Sequence, residues 1–219
     1  MPSPFDQSTY QVRLEWGVSG LHRLAPTDVV IAVDVLRFSS TVADAVAAGA
    51  TIDLDGALRW STNGAAVTAA ATADTVLVGG IRNAAAVARA VQVIQGSRGR
   101  RTSVAVIAAG ELDDAGAIRF AVEDHLGAGA IVAALTDLGI DHTSPEAAAA
   151  AESFRSLRGA LRHLLGASGS GRELEIGVAS TARMEAAGIV PTSTEDAATL
   201  DAVSVVPMVD RGRIVAFDG

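Results

Sequence analysis

The chain has no cysteine, few aromatic residues and no long uninterrupted apolar run. Without cysteine there can be no disulfide, no thiolate metal site and no cysteine nucleophile. A cytoplasmic location fits that composition. Aromatic residues make up 4% of the chain against 49% hydrophobic residues overall, so the core must come from Ala, Val, Leu and Ile. Side chains of that size let helices approach a sheet closely. No apolar stretch nears the roughly 20 residues that span a bilayer. The polar segment Met1 to Tyr10 has neither a basic n-region nor an apolar h-region, so no secretory signal is expected. Positive charge is also in short supply. A net charge of −8 argues against nucleic-acid binding, which relies on basic surface. It does not argue against a phosphorylated small molecule, which feels a local Arg, a helix end or a bound cation.

Several catalytic signatures are missing as well. His22, His125, His142 and His163 are scattered without metal-binding spacing, which disfavours a zinc site. No G-x-S-x-G elbow occurs, which disfavours an esterase triad. Gly166 to Gly171 lacks the phosphate-loop pattern and reads as a flexible loop. There is no internal repeat of 20–50 residues.

What is present centres on residues 29–41. Val29 to Val33 is a continuous β-branched and apolar run, as in a strand buried on both faces. Asp34, Arg37, Ser39, Ser40 and Thr41 follow within eight residues. Thr41 and Asp44 have capping-box spacing, so a helix is expected to begin near Ser40. A carboxylate there can hold a divalent cation, and a guanidinium can fork onto phosphate. A helix start also favours anions. Equally, Asp34 can cap a turn and Arg37 can sit in a surface ion pair; residue chemistry alone leaves both readings open.

The rest of the chain alternates strand and helix patterns. Tyr10 to Trp16 alternates like an edge strand with one polar face, and Gly17 to Pro26 reads as a loop. Leu58 to Trp60 is a strand candidate. Ala65 to Ala73 and Ala84 to Ile94 read as helices, the latter capped by Asn83, with Thr75 to Val78 and Ser103 to Ala109 as buried strands. Glu111 to Gly116 reads as an acidic loop in which Glu111, Asp113 and Asp114 face solvent. Phe120 to Leu138 reads as one long helix despite Gly127 and Gly129, which cost about 1 kcal/mol each unless they permit close packing. Thr143 with Glu146 and Thr192 with Glu195 form further capping boxes around Ala147 to Leu165 and the final segment. Thr181 to Ala187 reads as a short helix, and Val203 to Pro207 and Arg213 to Phe217 as the last strands. The expected fold is α/β: a largely parallel or mixed sheet covered by helices on both faces. The expected organisation is one domain over 1–219, or two tightly packed lobes. Asp34, Gly79-Gly80 and Gly110-Glu111 fall at predicted strand carboxyl ends, where such sheets bind ligands.

Asp34 to Thr41 resembles the signature of the 2-phosphosulfolactate phosphatase (ComB-type) family. Further segments match in order: Ser61 to Gly64 resembles its Thr-Thr-Asn-Gly motif, and Arg82 to Ala84 its Asn-Ala segment. Ala108 to Gly110 resembles Cys-Ala-Gly, with alanine for the cysteine. Glu123-Asp124 with Ala128 to Ala130 resembles Glu-Asp-x-x-x-Ala-Gly, and Asp201 to Pro207 the terminal Asp-x-x-x-Val-Val-Pro stretch. The resemblance covers roughly residues 28–217. It departs in one region: only about ten residues, Thr51 to Trp60, separate the first helix from the Asn-Gly motif, where the family carries a longer segment.

The resemblance implies a Mg2+-dependent phosphatase converting (2R)-2-phospho-3-sulfolactate to 3-sulfolactate and phosphate. The competing readings are a phosphatase for another small phosphorylated hydroxy acid and a non-catalytic binding or scaffold relative. The expected catalytic residues are Asp34 and Arg37. Metal ligands are expected among Asp34, Glu123 and Asp124. Substrate contacts are expected from Ser39, Ser40, Thr41, Asn63, Gly64 and Asn83. Arg82 either binds a second acid group or faces solvent. The expected partner is a small phosphorylated acid, with neither nucleic acid nor membrane; a homo-oligomer stays open. The shortened connection implies looser selectivity than in a full-length relative, extending to a smaller phosphorylated acid.

Overall fold

The computed structural model describes residues 3–113 and 115–219, so Met1, Pro2 and the loop acid Asp114 lie outside the described residues. The chain runs β1 (Val12–Trp16), α1 (Gly17–Arg23), β2 (Val29–Val33), α2 (Phe38–Ala47), β3 (Ile52–Asp53), α3 (Leu54–Ala57) and α4 (Gly64–Ala70). It continues with β4 (Thr75–Val78), α5 (Ala84–Arg98), β5 (Val104–Ala108), β6 (Glu111–Leu112), β7 (Ile118–Arg119), α6 (Val122–Asp137) and α7 (Pro145–Leu157). The remaining elements are α8 (Leu161–Ala167), α9 (Gly169–Ile176), α10 (Ala179–Ala186), α11 (Thr194–Ala197), β8 (Pro207–Asp210) and β9 (Arg213–Ala216).

Seven strands form one mixed sheet in the order β1-β5-β2-β4-β8-β9-β3. The first four are parallel, as strands joined by helical crossovers must be. The last three add antiparallel to them and to one another. Strand β2 is buried along its whole length, and its side chains alternate between two cores. Val29, Ile31 and Val33 pack into the cluster built with α5, α6 and α7. Val30 and Ala32 pack with Leu24 and Val67, beside α1 and α4. Strand β5 repeats the pattern, Val104 and Val106 against Ala105 and Ile107. Helices therefore cover both faces, as the near-continuous apolar strands require. A third cluster, around Phe38, Val42, Trp60, Met184 and Ile214, ties α2 and α10 to the antiparallel flank. Among the described residues no helix is long and apolar enough to cross a membrane.

Several local expectations are corrected. Residues Gly17 to Arg23 form α1 rather than a loop. The polar face of β1 is not solvated: Arg13 is buried, its guanidinium donating to carbonyls of Ser8, Tyr10, Ala25 and Pro26. Helix α2 starts at Phe38, so Thr41 lies inside it rather than at its cap. The segment Leu58 to Trp60 is a turn after α3, not a strand. The caps of α7 and α11 are Ser144 and Ser193, one residue after the expected threonines; each side chain accepts the backbone N–H three residues on. The Gly/Ser stretch 166–171 is a helix junction, with Ser168 capping α9 and Gly171 seated where a Cβ would overlap the Leu165 carbonyl. The acidic segment after Gly110 opens a short hairpin, β6 with β7. The penultimate strand begins only at Pro207.

The glycines of α6 explain its position. A Cβ at Gly127 would overlap Val35, and one at Gly129 would overlap the Ala150 carbonyl of α7. The helix is thus clamped between the β2 end and α7 at van der Waals distance. In contrast, a Cβ at Gly96 of α5 meets nothing within 4 Å. Gly129→Ala is therefore expected to destabilise the fold by about 1–3 kcal/mol, because overpacking outweighs the gain in helix propensity. Gly96→Ala is expected to stabilise it by up to about 1 kcal/mol. Urea midpoints of the two variants test the pair; equal shifts would contradict the packing account.

Candidate active site

The parallel strands β5, β2 and β4 are neighbours, so their carboxyl ends lie side by side. The loops leaving β2 and β5 are fastened to each other by Asp124, in the first turn of α6. One of its oxygens accepts the Val35 N–H at 2.7 Å and the other accepts the Gly110 N–H at 2.9 Å. Asp124 is 3% exposed. Burial, then the nearby charges of Asp34 and Glu123, push its carboxyl well above the ordinary range.

Asp34 follows β2 directly and is 8% exposed. Its Oδ2 accepts the Gly64 N–H at 2.9 Å and its Oδ1 the Phe38 N–H at 3.3 Å. Gly64 and Phe38 are the first residues of α4 and α2. One carboxylate thus faces two helix starts, whose free N–H groups favour the anion. Burial opposes them and dominates and, with the nearby charges of Glu111 and Glu123, lifts the carboxyl to about 6. The Asn-Gly pair has a specific reason here. A Cβ at Gly64 would come within 2.6 Å of Asp34 Oδ2 and of Phe38. Glycine is what lets α4 approach the carboxylate.

Asp34, Arg37, Asn63 and Glu111 line one cavity of about 230 Å3, closed on its other side by residues of α9 and α10. The Arg37 side chain reaches Thr181, to whose hydroxyl its Nη2 donates. Its Nε is buried without a hydrogen-bond partner among the described residues, a rare state for a guanidinium nitrogen. Burial lowers the Arg37 pKa, while Glu185 and Asp34 support its charge. Glu111 accepts from Asn63 Nδ2 at 3.4 Å, and burial raises its carboxyl. Glu111 and Ser170 also border an adjoining cavity that holds Glu123. Glu123 is 3% exposed and accepts a hydrogen bond from the Ser170 hydroxyl.

The remaining expected contacts lie elsewhere. The Ser39 hydroxyl accepts the Asp34 N–H and donates to Ala32 O; Ser40 donates to Val35 O. Thr41 Oγ1 accepts the Thr192 N–H. All three are buried, and none borders the cavity. They hold the turn that presents Asp34 and Arg37. Asn83 is buried too, accepting from Gly80 N–H and donating to Val205 O, so it joins the β4 end to the approach to β8. Arg82 is bound to Asp44 at 2.6 Å. Glu111, expected to face solvent, lines the cavity, and its place just beyond the β5 end is the feature that marks it. Nothing in the sequence marks Ser170 and Arg183, which line the cavity from helices distant in the chain, or Thr181, whose hydroxyl accepts from Arg37.

Among the described residues no group of three or more carboxylate or imidazole side chains converges as a metal cage. Mg2+ does not need one: it is commonly held by one or two carboxylates with water and substrate phosphate. A hard-oxygen donor at Asp34, with Glu111 and Glu123 near enough to raise its carboxyl, fits that sparse mode. A cation would relieve the mutual repulsion of these acids.

A family model described as 2-phosphosulpholactate phosphatase matches residues 57–212. Among curated proteins, none matches the chain. The matched span includes Asn63, Gly64, Asn83, Glu111, Glu123 and Asp124, and the α9–α10 wall; Asp34 to Thr41 precedes it. It thus contributes every wall of the cavity except the turn after β2, and it takes in well over half of the 219 residues. A match of that extent, over the elements that build the site, shows that the chain belongs to the 2-phosphosulpholactate phosphatase family of phosphoric monoester hydrolases.

Proposed function

We propose that this chain is a Mg2+-dependent phosphatase for a small phosphorylated hydroxy acid, with (2R)-2-phospho-3-sulfolactate as the substrate the family assignment puts first. The observation that carries the reading is the Arg37 side chain on the wall of the same cavity as Asp34, with its Nε buried and without a hydrogen-bond partner among the described residues. A buried donor without a partner is costly, and a small turn of the guanidinium would offer it to a phosphate oxygen in the cavity. The planar guanidinium can then fork onto two phosphate oxygens. Asp34 would hold the cation, with Glu123 as the second carboxylate. A cation held there would supply charge neutralisation at the phosphate oxygens. Glu111 stands on the cavity wall with a raised carboxyl, so it is a stronger base than a solvated Glu and accepts the proton of the attacking water. Asn63 orients Glu111 through its amide.

Phosphate release from phosphosulfolactate, with and without Mg2+, tests the assignment. Asp34→Asn is expected to lower kcat by about 100-fold or more at saturating Mg2+, the scale of losing one transition-state contact. Arg37→Lys is expected to lose about tenfold or more in kcat/KM, since a point charge replaces the fork, and Arg37→Ala to lose more. Unchanged kinetics in these variants would remove both residues from the reaction.

The raised Asp34 carboxyl also predicts a pH signature in the cation-free protein. The folded-state value, about 6, lies above the reference value of 3.8. The folded state therefore binds the proton more tightly between those values. Its contribution to stability is fully present below about pH 3.8 and is lost as pH rises through about 6. Asp34→Asn cannot ionise. Asn also loses one of the two acceptors that Asp34 offers to Gly64 and Phe38, so the pH trend carries the test: the wild type's melting temperature should gain on that of Asp34→Asn as pH falls from 7 to 5. A constant margin across that range would contradict the burial argument.

A further inference from the structure

A second and larger cavity, about 580 Å3, lies beside the first. Trp60 and Arg183 border both, so the two spaces adjoin along these side chains. The second cavity is walled by the short connection after β3 and by the end of α10. Ile52, Ala186, Ala187 and Ile189 give it an apolar floor. Its charged groups are Arg59, Arg183 and Asp53. Asp53 is engaged, accepting the Gly56 N–H at 2.7 Å to cap α3. Neither arginine has a carboxylate within ion-pair distance among the described residues; both are exposed, and Arg59 Nη1 donates to the Asp55 carbonyl at 3.5 Å. In a chain of net charge −8, two unpaired guanidinium groups on one apolar cavity are a site for an anion on an apolar stem.

We propose that this cavity is a distal subsite of the active centre, and that the substrate is a phosphorylated hydroxy acid whose chain passes Trp60 and ends in a second anionic group held by Arg59 and Arg183. The proposal rests on the phosphatase reading of the first cavity. The phosphate end lies against Arg37 and Asp34. Arg183, common to both spaces, meets the chain where it leaves the first. Trp60, largely buried against Phe38, marks the place where the two spaces meet, and Arg59 meets the far anion. The short Thr51 to Trp60 connection then does more than loosen selectivity: it leaves room for a longer acid, not a smaller one.

The test compares three esters: 2-phospholactate, phosphosulfolactate and the 2-phosphate of 2-hydroxyadipate, which carries a distal carboxylate on a longer stem. The wild type is expected to show its highest kcat/KM on the hydroxyadipate ester. Arg59→Gln and Ala187→Trp, the first removing the distal charge and the second filling the floor, are each expected to lower the ratio of hydroxyadipate to lactate ester kcat/KM about tenfold, through KM, the scale of one lost charged contact. A ratio unmoved by both variants, or a wild type with no preference for the longer ester, overturns the proposal. A binding arm separates this failure from failure of the phosphatase reading. In Trp16→Phe, Trp60 is the remaining indole, and its fluorescence reports titration with the unphosphorylated acids. Tighter binding of 2-hydroxyadipate than of lactate, weakened by Arg59→Gln, supports the subsite even if no ester is hydrolysed. Equal binding of the two acids overturns it.

Discussion

Everything the site does depends on one buried carboxylate that never reaches the cavity. Asp124 accepts an N–H from Val35 and another from Gly110, and so fixes the ends of β2 and β5 relative to α6. The loop after β2 presents Asp34 and Arg37; the residue after Gly110 is Glu111. Without this tie the two loops would be joined only by the strand ladder that ends before them. A buried acid is costly unless its lone pairs are met, and here each oxygen meets a backbone N–H. The close packing of α6, with glycine against β2 on one side and against α7 on the other, holds that acid in place.

The electrostatics of the site follow from crowding within this frame. Asp34, Glu111 and Glu123 act on one another through a poorly solvated interior, and Asp34 is raised by burial as well as by both neighbours. Arg37 is the counterweight, yet its own burial works against its charge. Such a site is unbalanced by itself and would be balanced by a cation and a polyanion entering together. That is the electrostatic requirement of phosphate-ester hydrolysis, in which charge must be neutralised on both sides of the transferred group.

The sequence disclosed the frame more readily than the contacts. Apolar strands and Ala-rich helices announced an α/β sheet with both faces covered, and the strand ending at Asp34 was visible because its β-branched run stops at an acid. The apolar run Thr75 to Val78 coincides with β4 to the residue. Caps slipped by one position because threonine and serine stand together before α7 and α11, and spacing alone does not choose between them. Helix α5 shows a deeper limit. Asn83 was its natural cap, yet the Ala85 N–H is met by Asp201, 116 residues away, while Asn83 turns to Gly80 and Val205. The hydroxyls after Asp34 looked like phosphate ligands, but each has a buried backbone partner that only the folded chain supplies. The α9–α10 wall carries no motif at all, because its role is set by where it folds back.

The antiparallel flank has a consequence for how the molecule comes into being. Strand β3 has one partner in the sheet, β9, with Ile52 opposite Ile214 and Asp53 opposite Arg213. The four parallel strands have all been made once residue 108 leaves the ribosome, but β3 must wait for another hundred residues of synthesis before its neighbour exists. Closing so long a loop adds little to the equilibrium cost but slows folding. Trp60 and the short connection around it are tethered to that late-arriving edge. A nascent chain can thus assemble its parallel core early while the part of the wall that separates the two cavities is still unformed, so catalytic competence would be the last property the polypeptide acquires.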